Sequence, residues 1–221
     1  MSHPRLSAEH LYRPVLEVST LSPVTLDASP ATTVAFQGEL GAYADLAIDR
    51  AWGAGADRLP CRDFVGVVHA VSSGAASYGV LPYRNSIIGE IPGVAQALAS
   101  ADLQQHVFVD VPVVHCLLGT PGSTIRSIAM VWSHPAALGQ CQRFFSAHPW
   151  LTPVAGYDTA GSARDVGRRQ RPTEGAIADA GCAARYGLVV LDQDIADQPD
   201  NTTRFVIVSR PGQSLPLQLD Q

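Results

Sequence analysis

The chain has 221 residues and a formal net charge of -5, and its 15 basic side chains are all arginine. Without lysine it cannot carry Schiff-base catalysis or a phosphate-binding Walker loop, each of which needs a lysine ammonium at one fixed place. No apolar run approaches the roughly 18 residues of a membrane span, and the basic cluster Arg168, Arg169 and Arg171 is too short to make a nucleic-acid surface on an acidic chain.

The first 32 residues are rich in proline, serine and threonine and lack a cationic start followed by an apolar stretch. They read as a poorly ordered or surface-clinging extension rather than a secretory signal, and a cytoplasmic setting is expected. From Thr33 short β-rich runs alternate with helical segments, the pattern of an α/β fold with parallel strands. "TVAFQG" predicts a strand, Ala42 to Trp52 a helix, "DFVGVVHAVSSGAA" a second helix, "YGVLPY" a strand, and residues 91–100 a third helix. "HVFVDVPVVHCLLG" reads as a strand that leaves one sheet and enters another. Beyond it come "SIAMVWS" (strand), Pro135 to Phe145 (helix), "TPVAGY" (strand), "TAGSARDVGRR" (helix), "GAIAD" (strand), "AGCAARYG" (helix), and the strands "LVVLDQDI" and "RFVIVSR".

This order predicts two lobes: residues 33–105 with 188–210 in the first, residues 106–187 in the second, and a tail at 211–221. A cleft between them is the expected ligand site. The cysteines Cys61, Cys116, Cys141 and Cys182 are too scattered for zinc and read as buried thiols, so no metal or other cofactor is expected.

Four loops follow predicted strands and precede helices, where backbone N–H groups attract anions. They are "GELGAYA", "PYRNS", "SHPAALGQC" and "YDTAGSA", with Ser133, Asp158 and Thr159 as candidate caps. Caps and turns alone explain any one of them. Four loops facing one cleft, joined by Thr202, Thr203 and Arg204 of "NTTRF", point instead to a site for a small polyanion.

The segments "VAFQGELGAYADLA", "YGVLPYRNSIIGEI", "VVHCLLG", "SHPAALGQCQRFF", "DTAGSAR", "GAIADAGCAARYGLVVL" and "NTTRF" resemble, in order and spacing, the signature segments of the prephenate dehydratase family. The resemblance implies a two-lobed fold like that of type II periplasmic binding proteins, acting without cofactor as a homodimer or larger homo-oligomer. It also implies conversion of prephenate to phenylpyruvate with loss of water and carbon dioxide, as a step of phenylalanine or specialised aromatic biosynthesis. Thr203 matches the family's essential threonine and would donate a hydrogen bond to the departing hydroxyl. Arg204 and Phe205 complete that motif, and Asn85, Ser86, Ser133 and Thr159 would anchor the substrate's carboxylates.

Three residues depart from the family pattern: Tyr83 and Arg84 stand where "PIENS" has an apolar residue and a glutamate, and Ala44 replaces a hydroxyl residue. Arg84 either binds a carboxylate or pairs with an acid such as Glu90. Eleven residues follow Arg210, so neither an ACT regulatory domain nor a chorismate mutase is expected. Two alternatives stay open: a decarboxylase of the same fold that keeps the ring hydroxyl, and a non-catalytic binder of an aromatic-pathway acid.

Overall fold

The computed structural model describes Leu26 and residues 32–215. Most of the expected extension and residues 216–221 of the tail lie outside that range. Leu26 is buried in the first core, with its N–H donating to the Ala51 carbonyl at 2.7 Å.

The elements in chain order are β1 (Thr33–Gln37), α1 (Tyr43–Trp52), β2 (Asp57–Cys61), α2 (Phe64–Ser73), β3 (Tyr78–Asn85), β4 (Gly89–Glu90), α3 (Val94–Ala99), β5 (Gln104–Pro112) and β6 (Cys116–Gly119). There follow β7 (Met130–Ser133), α4 (Pro135–Gly139), α5 (Gln142–Ala147), β8 (Thr152–Ala155), α6 (Thr159–Arg169), β9 (Glu174–Ala178), α7 (Gly181–Tyr186), β10 (Val189–Asp192) and β11 (Thr202–Ser209).

Two sheets form, in the orders β2-β1-β3-β11-β5, with β4 on β3, and β10-β6-β9-β7-β8. Each sheet has apolar clusters of its own, giving the two-lobed α/β architecture expected from the sequence. Strands β1, β2 and β3 are parallel, while β11 runs antiparallel between β3 and β5. The last strand of the chain therefore sits inside the first sheet, with its side chains fixed by neighbours on both edges.

The lobe boundaries differ from the expected ones. The run expected to be one crossing strand is two: β5 pairs with β11 from Gln104 to Pro112, and β6 belongs wholly to the second sheet. The chain crosses at Val113–His115, not at His106. Likewise β10 pairs antiparallel with β6, so the second lobe extends to Asp192 rather than Gly187. Residues 211–215 are no loose tail, since Tyr78 donates to the Ser214 carbonyl at 2.7 Å and Leu215 packs on the first core.

"DRLPC", with Pro60 in it, was not among the expected strands. It is strand β2 at the sheet edge, where a missing N–H breaks no ladder bond. Near the end of β3 the β11 register shifts between Arg204 and Phe205, whose partners are Arg84 and Pro82. At this bulge the β11 register steps from Pro82 to Arg84, past Tyr83. The bulge lets Pro82 and Asn85, three residues apart, face the same side.

Candidate active site

A cavity of about 520 Å3 lies between the lobes. The first lobe contributes Gln37, Tyr43, Pro82, Asn85, Thr203 and Phe205. The second contributes His134, Gln140, Tyr157, Asp158 and Thr159, with His115 from the crossing segment. Among the described residues no arginine side chain lines the cavity. Carboxylates in this space would be held by amides, hydroxyls, histidine and the N-terminal turn of α6 rather than by guanidinium groups.

Thr203 and Asn85 face each other in register on β11 and β3, and both are buried. Asn85 Oδ1 accepts from the backbone N–H groups of Ile87 (3.0 Å) and Ile88 (3.2 Å), so its amino group must face the other way. There Nδ2 donates to Thr203 Oγ1 at 2.9 Å, to Asn201 Oδ1 at 2.7 Å and towards the Thr202 carbonyl at 3.2 Å. The threonine oxygen is thus an acceptor within the protein, which leaves its own O–H to donate into the cavity.

The polar chain continues past Asn201. Asn201 Nδ2 lies 3.1 Å from Gln140 Oε1, which is 2.8 Å from His115 Nε2, and His115 Nδ1 is 3.1 Å from the Tyr43 hydroxyl. Tyr43 also bonds the Val114 carbonyl at 2.9 Å. Burial lowers the pKa of His115, keeping the imidazole neutral, and raises that of Tyr43 well above its ordinary value.

On the opposite wall the loop after β1 docks against the second lobe. Asp158 caps α6 through Ala160 N (2.9 Å) and accepts from Glu39 N at 2.8 Å across the cleft. Burial raises the pKa of Asp158, while these N–H donors oppose the shift. Tyr157 donates to Glu39 Oε1 at 2.6 Å, and Arg164 pairs with the same carboxylate at 2.5 Å. Gly38 makes this approach possible: its φ is +110°, and a Cβ there would lie 2.7 Å from Asp158 Oδ2.

Of the residues picked from the sequence, Thr203, Asn85, Thr159 and Phe205 line the cavity. Ser133, Ser86, Arg204 and Arg84 do not. Ser133 ends β7 fully buried and donates to the Ile177 carbonyl at 2.6 Å, and the cap of α4 is His134, whose Nδ1 accepts from Ala136 N at 3.2 Å. Ser86 clamps strand ends, accepting from Thr202 N at 2.9 Å and donating to the Asp200 carbonyl at 3.3 Å.

Arg204 alternates with Thr203 and Phe205, so it points to the other face of the sheet. There it makes a two-pronged bond to Asp110 at 2.8 and 2.9 Å. Arg84 is exposed and stands in register between Arg204 and Glu90, on that same outer face. The bulge puts Tyr83 and Arg84 together away from the cavity.

Sequence reasoning missed Tyr43, His115, Gln140 and Asn201 as site residues. Each lay inside a segment singled out above, but nothing in local spacing shows that the four converge. Among the described residues no group of three or more His, Cys, Asp or Glu is arranged to hold a metal ion. The four thiols are free, and burial pushes Cys141 and Cys182 up to about 12, far from the reactive thiolate range.

The family described as Prephenate dehydratase matches residues 34–213. The chain belongs to the prephenate dehydratase family. It is 38% identical over 186 residues to a bifunctional N-acyl-homoserine lactone acylase/prephenate dehydratase of Komagataeibacter europaeus, covering 83% of this chain and 64% of that protein. It is 36% identical over 189 residues to arogenate dehydratase 2 of Petunia hybrida, covering 84% of this chain and 48% of that one. The crystal structure of prephenate dehydratase from Arthrobacter aurescens in complex with L-Phe superposes with a TM-score of 0.75 at 33% identity, over 82% of this chain and 61% of that one. The chain thus spans about half to two thirds of the length of the relatives it matches.

Proposed function

We propose that this protein dehydrates and decarboxylates prephenate to phenylpyruvate, with Thr203 assisting departure of the ring hydroxyl. The observation that carries this reading is the polarity of the Asn85–Thr203 pair, which directs the threonine O–H into a cavity between the lobes. In the reaction the bond from the ring to its carboxylate breaks and carbon dioxide leaves. The released electron pair enters the ring, and the C–O bond at the opposite carbon breaks to give an aromatic product. The departing hydroxide gathers negative charge as that bond lengthens. A fixed hydrogen-bond donor at this oxygen stabilises the developing charge, a contribution of about 10²–10⁴-fold in rate.

Gln140, Thr159, His134 and the first turn of α6 surround the remaining space and suit the two carboxylates. Arogenate, which carries an amino acid side chain in place of the pyruvyl group, is the second candidate substrate, favoured by the similarity to arogenate dehydratases. Incubation with prephenate and with arogenate in parallel, following product mass and absorbance, tests both. Phenylpyruvate or phenylalanine is expected. A product that keeps the hydroxyl, or unchanged substrate in both, would overturn the assignment.

A further inference from the structure

From Asn85 to His115 the relay between the lobes has only one self-consistent polarity, and backbone groups set it. Asn85 cannot be reversed, because its oxygen faces the N–H groups of Ile87 and Ile88 and its nitrogen faces the Thr202 carbonyl. The Asn201 atom 2.7 Å from Asn85 Nδ2 must therefore be its oxygen, since two N–H groups cannot pair. That turns Asn201 Nδ2 towards Gln140 at 3.1 Å, where only an oxygen can receive it. Gln140 Oε1 then also faces His115 Nε2 at 2.8 Å, and that nitrogen must carry a hydrogen. In the neutral imidazole Nδ1 is left with a lone pair facing the Tyr43 hydroxyl 3.1 Å away, whose one hydrogen is shared between that nitrogen and the Val114 carbonyl at 2.9 Å. The direction of every link from Asn85 to His115 follows from two backbone amides in the first lobe.

We propose that Asn201 and His115 are positioning residues that hold Gln140 with its N–H groups facing the cavity, His115 being fixed as the Nε2–H tautomer. Gln140 lines the cavity, and its oxygen is doubly engaged by Asn201 and His115. Its amide nitrogen is the atom left for a bound carboxylate, a charge-assisted contact that a reversed amide would turn into a repulsion between oxygens. Asn201 and His115 are both buried, so neither can exchange this partner for bulk water without cost. The Nε2–H tautomer follows from ligand-free geometry. The facing carboxylate rests on the reading of the cavity as a site for a dicarboxylate substrate.

Substitution at Asn201 changes the tautomer in a defined way. In Asn201→Asp both oxygens of the new carboxylate accept, so Gln140 must turn its amino group to Asp and to His115, and the imidazole hydrogen moves to Nδ1. Tyr43 can accept that hydrogen while donating to the Val114 carbonyl, already 2.9 Å away. In Asn201→Ala nothing selects either direction, and both tautomers should be populated.

The test is a long-range 15N–1H correlation spectrum of the whole chain, recorded well above the ordinary histidine pKa of about 6.5. The His115 signals among the seven histidines are assigned by their loss in His115→Gln. One tautomer with hydrogen on Nε2 is expected for the unsubstituted protein, a mixture for Asn201→Ala, and hydrogen on Nδ1 for Asn201→Asp. An unsubstituted His115 carrying its hydrogen on Nδ1 overturns the proposal even if neither variant folds, as does an Asn201→Asp spectrum with the tautomer unchanged. This readout needs no turnover, so it separates failure of the relay from failure of the dehydratase reading. In the kinetic arm, Asn201→Ala should raise KM for prephenate about tenfold, the order for losing a hydrogen bond to a charged group, with a smaller fall in kcat. A fall in kcat at unchanged KM would contradict the assigned role of Gln140.

Discussion

Asn85 Nδ2 donates to Thr203 Oγ1 at 2.9 Å between residues paired in register, and this contact sets the direction of the threonine hydroxyl. Asn85→Asp keeps the oxygen that receives the Ile87 and Ile88 amides but puts a second oxygen against Thr203. The hydroxyl should then turn to that carboxylate and leave the cavity. Turnover should fall by about 10²–10⁴-fold, the range for losing a proton or hydrogen-bond donor. Steady-state kinetics with circular dichroism as a folding control checks this; near-normal kcat would mean that the Asn85 contact does not direct the reacting group.

Thr202 neighbours Thr203, but its side chain alternates to the other side of β11 and its backbone is bonded to Ser86. Thr202→Ala should leave kcat close to normal. Equal losses in Thr202→Ala and Thr203→Ala would refute the assignment of a single threonine to the chemistry.

Arg84 and Arg204 occupy the outer face, so neither substitution should alter KM. The Arg204–Asp110 pair is 41% and 32% exposed, and Arg204→Ala should cost at most about 1 kcal/mol in urea unfolding. Arg84→Glu should leave both affinity and product unchanged. A tenfold change in KM for Arg84→Glu would show that this residue reaches the substrate after all.

Gly38→Ala joins a left-handed backbone at φ +110° to a Cβ only 2.7 Å from Asp158 Oδ2, so both strain and displacement of the carboxylate are expected. Gly53→Ala is the control, because φ there is +59° and nothing lies within 4 Å of the added carbon. Melting temperature should fall for both, and further for Gly38→Ala, whose KM should rise as the contact between lobes loosens. Equal behaviour of the two would show that the Asp158–Glu39 contact contributes nothing.

Burial pushes His115 and His106 below the usual histidine pKa. Below about pH 6.5 the unfolded chain takes up protons at these positions before the folded one does. Their contribution to stability is therefore complete above that pH and is lost as pH falls towards the folded values. Urea unfolding at two pH values on either side should show a smaller loss for His115→Gln than for the unsubstituted protein. An identical loss would mean that His115 stays exposed to protons in the fold.

Alternation of apolar and polar residues made most elements legible, and the ordered segments from "VAFQGELGAYADLA" to "NTTRF" pointed to Thr203 and Asn85. Less visible was which face each polar residue takes. Arg204 could have been placed outside by strand alternation with Thr203. Arg84 alternates with Asn85 in the same way, and only the step from Pro82 through Tyr83, where the bulge lies, breaks the period of two. Ser133 and His134 are adjacent candidates for the cap of α4, and local sequence does not choose between them. Tyr43, His115, Gln140 and Asn201 belong to one network only because the chain crosses between sheets at Val113–His115, a tertiary fact with no local signature.

The most direct test of the account is kcat and KM for prephenate in Thr203→Val, which keeps the branched shape and removes only the hydroxyl, beside Thr203→Ser, which restores it. The account predicts phenylpyruvate from the unsubstituted protein, a loss of about 10²–10⁴-fold in kcat for Thr203→Val with KM nearly unchanged, and substantial recovery in Thr203→Ser. Thr203→Val turning over prephenate at close to the normal rate would contradict it.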